Sequence, residues 1–145
     1  MLFNKIILKL LPFKRMLKMP KPETNLWNLF RQRLKDKGYF YTRIENRSGG
    51  GIPDTYIVGD QGCFWVELKV TNGNKINVSP HQIAWHTSHS LKGGRSFILA
   101  KHLSSSILFL FEGSKVRELS TSGLKSGCMV QGSWNEIFDT LEHKI

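Results

Sequence analysis

The chain has 145 residues and a mass of 16.6 kDa, which is the size of one domain and too small for two. Hydrophobic residues make up 40% and aromatic residues 11% of the sequence, so an intrinsically disordered chain is excluded. The net charge of +10 favours a polyanionic partner, either nucleic acid or an anionic membrane surface.

Residues 1–21 are predicted to form a basic N-terminal extension that precedes a single domain of residues 22–145. No acidic residue occurs before Glu23, and six cationic residues do: Lys5, Lys9, Lys14, Arg15, Lys18 and Lys21. The remaining 15 basic and 11 acidic residues leave only +4 on the domain. The extension lacks the long apolar core and cleavage site of a signal peptide. We expect a DNA-binding arm or a segment without function, in preference to a segment that contacts a membrane surface.

The first part of the domain is predicted to contain one helix and three strands. The helix covers roughly residues 23–37 and ends at Gly38. Its apolar face is formed by residues at helical spacing, Leu26, Leu29, Phe30 and Leu34. The three strands are rich in aromatic and β-branched residues and cover residues 39–46, 53–58 and 63–70. A tight turn at residues 59–62 joins the last two strands as a hairpin.

The second part alternates helices and strands. Ser79, Pro80 and Gln82 form the start of a helix that runs to about residue 92, with a capping box and a proline at its first position. Strands are predicted at residues 95–101 and 106–111, with a possible further strand at residues 115–119. A second capping box at Ser133 opens a closing helix. This order predicts an α/β fold, a mixed β-sheet flanked by helices.

Two acidic residues, Asp54 and Glu67, are predicted to lie on the paired strands of the hairpin. Converging carboxylates repel each other unless a cation lies between them, and their oxygens suit a hard cation such as Mg²⁺. Lys69 would share the face of Glu67, while Leu68 would point into the core with its carbonyl still free. A cation and a lysine beside it are what phosphodiester hydrolysis requires.

Such a pair can also be an ordinary ion pair on a solvated strand. Acidic residues are depleted in strands, and these two have apolar neighbours: Tyr56, Ile57, Val58, Phe64, Trp65, Val66 and Val70. Polar groups in such surroundings need partners or a metal. The apolar context therefore favours the functional interpretation.

These residues resemble the signature of the PD-(D/E)XK nucleases. Gly51-Ile52-Pro53-Asp54 is followed after 12 residues by Glu67-Leu68-Lys69. Ser79-x-x-Gln82-x-x-Trp85 and Gly93-Gly94-Arg95 look like the VRR-NUC branch, small stand-alone nucleases that are often found in phages and resemble Holliday-junction resolvases. The resemblance covers roughly residues 22–102 and implies a restriction-endonuclease-like αβββαβ core.

The resemblance also implies roles for individual residues. Asp54 and Glu67 would be metal ligands together with the carbonyl of Leu68, and Lys69 would be the catalytic lysine. Glu23 would be an additional acidic ligand, although an acidic residue in a first helical turn is also favoured by the helix dipole.

Three further residues are candidates for contacts with the substrate. Gln82 would lie beside the attacking water or the scissile phosphate, although its place in a capping box explains it equally. Arg43 and Arg47 flank the glycine-rich loop and would contact phosphates, with a solvated strand edge as the alternative.

Several other residues are assigned no role in the site. His86 and His89 are expected to face solvent or DNA, and Trp85 to be in the core rather than to stack on bases. The two cysteines, Cys63 and Cys128, form no disulfide or zinc pattern and fit a reducing cytoplasm. No apolar run is long enough for a membrane span.

The sequence thus predicts a Mg²⁺-dependent DNA endonuclease, with Mn²⁺ able to substitute. By analogy with the family, it would cut branched DNA as a homodimer, by in-line attack of water that leaves 5′-phosphate and 3′-hydroxyl ends. The alternatives are a nicking, restriction-like or homing nuclease and a non-catalytic DNA-binding subunit.

Overall fold

A computed structural model describes residues 21–45 and 50–143. The predicted extension, up to residue 20, and Arg47 lie outside the described residues. The helices within the described ranges are α1 (Pro22–Asp36), α2 (Pro80–Leu91), α3 (Val116–Ser122) and α4 (Trp134–His143). The strands are β1 (Phe40–Arg43), β2 (Thr55–Gly59), β3 (Gly62–Thr71), β4 (Ser96–His102), β5 (Leu108–Glu112) and β6 (Val130–Gly132).

The six strands form one mixed sheet in the order in which they occur along the chain. β1, β2 and β3 are antiparallel, and Gly59 faces Gly62 across the hairpin turn. β3 and β4 are parallel, so α2 is the crossover between them. β5 and β6 continue the sheet in antiparallel pairing. The predicted mixed sheet flanked by helices is confirmed.

Hydrophobic clusters lie on both faces of the sheet. One cluster joins α1 and α4 to the sheet through Phe30, Phe64, Leu99 and Phe138, which are almost fully buried. The other contains Ile98 and Phe111 of the sheet together with side chains of α3. Since side chains alternate along a strand, Leu68 belongs to the first cluster and its neighbours Glu67 and Lys69 point to the face of α2.

The possible strand at residues 115–119 is wrong, because this segment begins α3. Val116 and Leu119 are three residues apart and both are buried, whereas Glu118 is exposed. A strand would have placed Glu118 on the same face as Val116. The sixth strand is instead the short β6, which pairs with β5.

Some helix and strand boundaries, and one residue of the buried face of α1, also differ from those predicted from the sequence. Leu29 is 44% exposed, and Trp27 takes its place in the buried face of α1. β1 begins after Tyr39, because the N–H of Tyr39 donates to the carbonyl of Leu34 at the end of α1. β2 begins after Asp54, because the preceding Pro53 has no N–H to continue the ladder. Among the described residues, no helix is both long enough and apolar enough to cross a membrane.

Candidate metal centre and active site

Asp54 lies directly before β2, and its side chain extends the pairing of the hairpin. The Oδ2 atom of Asp54 accepts a hydrogen bond of 2.7 Å from the N–H of Leu68 in β3. This bond satisfies the Leu68 N–H at the point where Pro53, which has no N–H to donate, ends the regular pairing of the strands. It holds the Asp54 carboxylate beside the main chain of β3, next to Glu67.

Glu67 is a buried carboxylate, with only 4% of the residue exposed. Its Oε1 atom accepts a hydrogen bond of 2.7 Å from the Nε2 of Gln82 and lies 3.6 Å from the Nζ of Lys69. Its Oε2 atom is also buried and has no hydrogen-bond partner in the described part of the chain. A buried, unpaired oxygen is costly unless a further partner binds it.

Gln82 connects the start of α2 to this carboxylate. Its Oε1 accepts 3.0 Å hydrogen bonds from the Nζ of Lys69 and from the N–H of Ser79. The Oγ of Ser79 in turn accepts from the N–H of Gln82, which completes the predicted capping box. The side-chain carboxamide of Gln82 therefore caps the first turn of α2 and orients both Glu67 and Lys69.

Gly51 brings the loop before Asp54 against the start of α2. Its φ is +75°, and a Cβ at this position would lie 2.2 Å from the carbonyl oxygen of His81. Only glycine allows both the conformation and the close approach. The resulting pocket has a volume of about 190 Å³ and is lined by Ile44, Gly51, Ile52, Asp54, Glu67, Ser79 and Gln82.

The two carboxylates hold their protons more tightly than usual. Burial, together with the smaller effect of the charge of Asp54, raises the pKa of Glu67 to about 8 despite the lowering effect of Lys69. Burial also raises the pKa of Asp54, against the lowering effects of the Leu68 N–H, Lys69 and Arg43. Both shifts show negative charge that the protein compensates only in part. A cation in the pocket would complete the compensation.

Glu23 and Arg43 lie at the edge of this site. The charge of Glu23 raises the pKa of Asp54 and that of Arg43 lowers it, so both are close enough to influence the carboxylate. The guanidinium of Arg43 lies 4.9 Å from the centre of the Trp27 ring. Within the described ranges, however, no three His, Cys, Asp or Glu side chains converge as a metal cluster. Glu23 is therefore not gathered with Asp54 and Glu67.

Two expectations for α2 are wrong. His86 is fully buried instead of facing solvent or DNA, and its Nδ1 lies 2.8 Å from the Oγ of Ser96. Trp85 is only half-buried and belongs to neither hydrophobic cluster. The motif from Ser79 to Trp85 indicated that α2 belongs to the site. Helical spacing alone cannot show which side of α2 is buried and which is exposed.

No protein-family model matches the sequence, and no curated protein is detectably similar to it. Among solved structures, the fold is similar to that of Hjc, a Holliday junction resolvase from the archaeal hyperthermophile Archaeoglobus fulgidus. The TM-score is 0.51 at 15% identity, over 62% of this chain and 76% of the resolvase. At this identity the likeness concerns the fold, and it confirms an α/β fold with a mixed sheet flanked by helices.

Proposed function

We propose that this chain is a metal-dependent DNA endonuclease of the PD-(D/E)XK superfamily, VRR-NUC branch, with its nuclease domain in residues 22–145. The observation that carries the proposal is the unpaired, buried Oε2 of Glu67 beside Asp54, in a pocket that Gln82 lines and with Lys69 hydrogen-bonded to Gln82. Two carboxylates whose negative charge is only partly compensated, next to a lysine, are the arrangement that the motif predicts for phosphodiester hydrolysis.

The donor atoms in the pocket fit Mg²⁺, with Mn²⁺ as a substitute. Mg²⁺ is bound through one or two carboxylates, with water and substrate phosphate completing the shell. Asp54 and Glu67 would supply the carboxylates. The N–H of Leu68 points to Asp54, and the carbonyl of a strand residue leaves on the same side as its N–H, so the Leu68 carbonyl is a third candidate ligand. Glu23 would contribute through its charge on Asp54 rather than by direct coordination.

The side chains around the pocket divide the remaining tasks. When bound, the metal would polarise the phosphoryl oxygen and lower the pKa of a coordinated water. Lys69 would bring its ammonium group to the charge that develops on the phosphate. Gln82 would hold Lys69 in place through its Oε1, with its amide group at the border of the pocket. Arg43 and Arg47 would contact DNA phosphates beside the cut.

The proposed substrate is DNA, branched in preference to linear, and the proposed enzyme is a homodimer. The net charge of +10 supports a polyanionic partner. The likeness of the fold to a Holliday junction resolvase supports a branched substrate as an analogy of fold. A two-fold dimer would present two sites to opposite strands of a symmetric junction.

Isosteric variants of the acidic pair test the active site. Asp54→Asn and Glu67→Gln should abolish cleavage and weaken Mg²⁺ binding, while metal-free DNA binding is retained or improved because repulsion of the phosphates is removed. Glu118→Gln, an exposed residue of α3, is the matched control and should behave as wild type. Cleavage by either site variant at near the wild-type rate would show that the site is wrong.

The preferred DNA is tested by parallel cleavage of a four-way junction, a flap, a linear duplex and a single strand with Mg²⁺ or Mn²⁺. We expect the branched substrates to be cut first at matched protein concentration. Equal cutting of duplex and junction would favour a nicking or restriction-like nuclease. Binding without any cutting would favour the non-catalytic DNA-binding subunit.

A further inference from the structure

Four aromatic side chains form a continuous series between the sheet and α2. The ring centres of Tyr56 and Trp65 are 5.0 Å apart, those of Trp65 and Trp85 are 5.4 Å apart, and those of Trp85 and His89 are 4.5 Å apart. The Trp85 and His89 rings are almost parallel, with an angle of 19° between their planes. We call these four residues the aromatic ladder.

The aromatic ladder is not part of the hydrophobic core. None of its four residues belongs to either buried cluster, and all four are half-buried. By contrast, Phe30, Phe64 and Phe111 of the hydrophobic clusters are fully buried. Large rings left partly in water and in contact with one another are typical of a surface that binds a flat ligand.

The ladder adjoins the proposed active site. Trp65 lies two residues before Glu67 on the same face of β3, and Trp85 lies one helical turn after Gln82. Trp85 and His89 line a shallow pocket of about 540 Å³. Its remaining lining residues include direct chain neighbours of residues that line the acidic pocket: Gly50 precedes Gly51, and His81 precedes Gln82.

The charge of this pocket suits a nucleic acid. Lys92 and His81 line it, and no acidic residue does. The whole of α2 contains no Asp or Glu, so the helix face beside the ladder adds no repulsion of phosphates. An apolar partner protein would not require this absence of negative charge, whereas a strand with a flat base and an anionic backbone matches both features.

We propose that the aromatic ladder stacks against an unpaired nucleobase next to the scissile phosphate, with Trp85 as the contact residue and His89 packed behind it, between Trp85 and Gly94. The position next to the cut rests on the proposed function. Bases inside a duplex already stack on their neighbours, so only a base at a branch, flap or single-stranded end is available to Trp85. Because every base has a π-face, this contact selects DNA structure without selecting sequence.

The test measures binding alone, in buffer with a chelator, by the fluorescence anisotropy of labelled DNA. Three DNAs are compared: a flap with an unpaired tail, the same flap with abasic nucleotides in that tail, and a fully paired duplex. With wild-type protein, removing the bases should weaken binding about tenfold, within the range measured for stacking of one base on an aromatic side chain. The backbone charge of the two flaps is the same, so this difference isolates the bases.

The protein variants locate the contact. Trp85→Ala should bind both flaps equally weakly, and Trp85→Phe, which keeps a ring, should restore most of the preference for the tail with bases. Phe40→Ala is the control, because Phe40 is 61% exposed but lies on β1 outside the ladder. It should keep the wild-type preference.

Two outcomes would overturn the proposal. One is equal binding of wild-type protein to flaps with and without bases. The other is an unchanged preference in Trp85→Ala; if this variant also loses self-association, the face is covered by a second copy of the chain. Failure of the proposed function has a different signature, because DNA would remain uncut with metal while the preference for bases persisted.

Discussion

At the scale of single residues, the site depends on the side-chain carboxamide of Gln82, which both caps α2 and contacts Glu67 and Lys69. The sequence predicted that Gln82 would close a capping box and also lie in the site, and the structure shows both sets of contacts. The hairpin also brings together Asp54, Glu67 and Lys69, because its two-residue turn fixes the pairing register of β2 and β3. Their catalytic roles stay predictions.

Lys69 and Leu68 are neighbours whose side chains should contribute in different ways. Lys69→Ala keeps both carboxylates, so Mg²⁺ should still bind, but the rate of cleavage should fall by about 10²-fold or more. Leu68→Ala keeps the backbone carbonyl, so metal binding and cleavage should persist in the folded protein. Its buried side chain contributes to the core, and the free energy of unfolding should fall by about 2–5 kcal/mol.

Calorimetry of Mg²⁺ binding, chemical unfolding and a cleavage assay on the same two variants separate these effects. Cleavage that survives Lys69→Ala at the wild-type rate would remove the lysine from the mechanism. Loss of metal binding in a folded Leu68→Ala variant would contradict a carbonyl ligand.

His86 shows why the packing of α2 behind the site was not predictable from the sequence. The helical spacing of His86 and His89 predicts a polar, exposed side of α2. The structure instead buries His86 against Ser96 and Gly113. Its contact with Ser96 depends on the parallel register of β3 and β4, which is a property of the fold. Burial lowers the pKa of His86 to about 4, with smaller contributions from His89 and Lys69.

This shift predicts a loss of stability in acid. Between pH 6.5 and 4 the unfolded chain takes up a proton at position 86 and the folded chain does not, so the free energy of unfolding should fall as the pH decreases. The loss should reach up to about 3 kcal/mol and level off below pH 4. The raised pKa of Glu67 acts in the opposite direction between pH 8 and 4.5, because there the folded state binds the extra proton.

Comparison with His86→Asn cancels the Glu67 contribution, since both proteins contain it. Urea unfolding at a series of pH values should show a steeper decline for the wild type than for the variant between pH 6.5 and 4. Parallel pH profiles would mean that the buried histidine is protonated in the folded state.

At the scale of elements, the longest and most regular patterns were predicted correctly. α1, α2, α4 and the hairpin of β2 and β3 have clear caps, turn residues or periodicity. The segment that begins α3 was predicted as a possible strand, because its two apolar residues, Val116 and Leu119, are too few to establish a period. The three residues of β6 form a strand only because β5 offers a free edge.

The contact between the loop at Gly51 and α2 should be essential for the site. Gly51→Ala introduces a Cβ within 2.2 Å of the His81 carbonyl at a positive φ, so the loop must move away from α2 and carry Asp54 with it. We expect Mg²⁺ binding and cleavage to be lost, together with stability.

Gly38→Ala is the matched control. Gly38 has a similar φ of +77°, but nothing lies within 4 Å of an added Cβ, so it reports backbone strain without a clash. It should lose about 1 kcal/mol of stability and retain cleavage. Equal activity of the two variants would show that the approach of the loop to α2 does not organise the site.

At the scale of the whole molecule, charge is distributed unevenly along the chain. Six of the ten net positive charges come from the first 21 residues, while the domain that holds the acidic pair carries only +4. The residues after position 21 therefore contain the pocket and the ladder, and the first 21 residues carry charge without any motif that reads sequence. This division predicts that affinity and cleavage position are separable.

Deletion of residues 1–20 tests that division, because it removes five of the six cations and leaves Lys21 in place. Each phosphate contact that is lost should flatten the slope of log K against log salt concentration by roughly 0.9. We expect weaker binding to all DNAs alike, a smaller slope, and the same cleavage positions on a sequencing gel, since counterion release carries no sequence information. A shifted cleavage position would give the extension a part in placing the substrate, and an unchanged slope would show that its cations do not contact DNA.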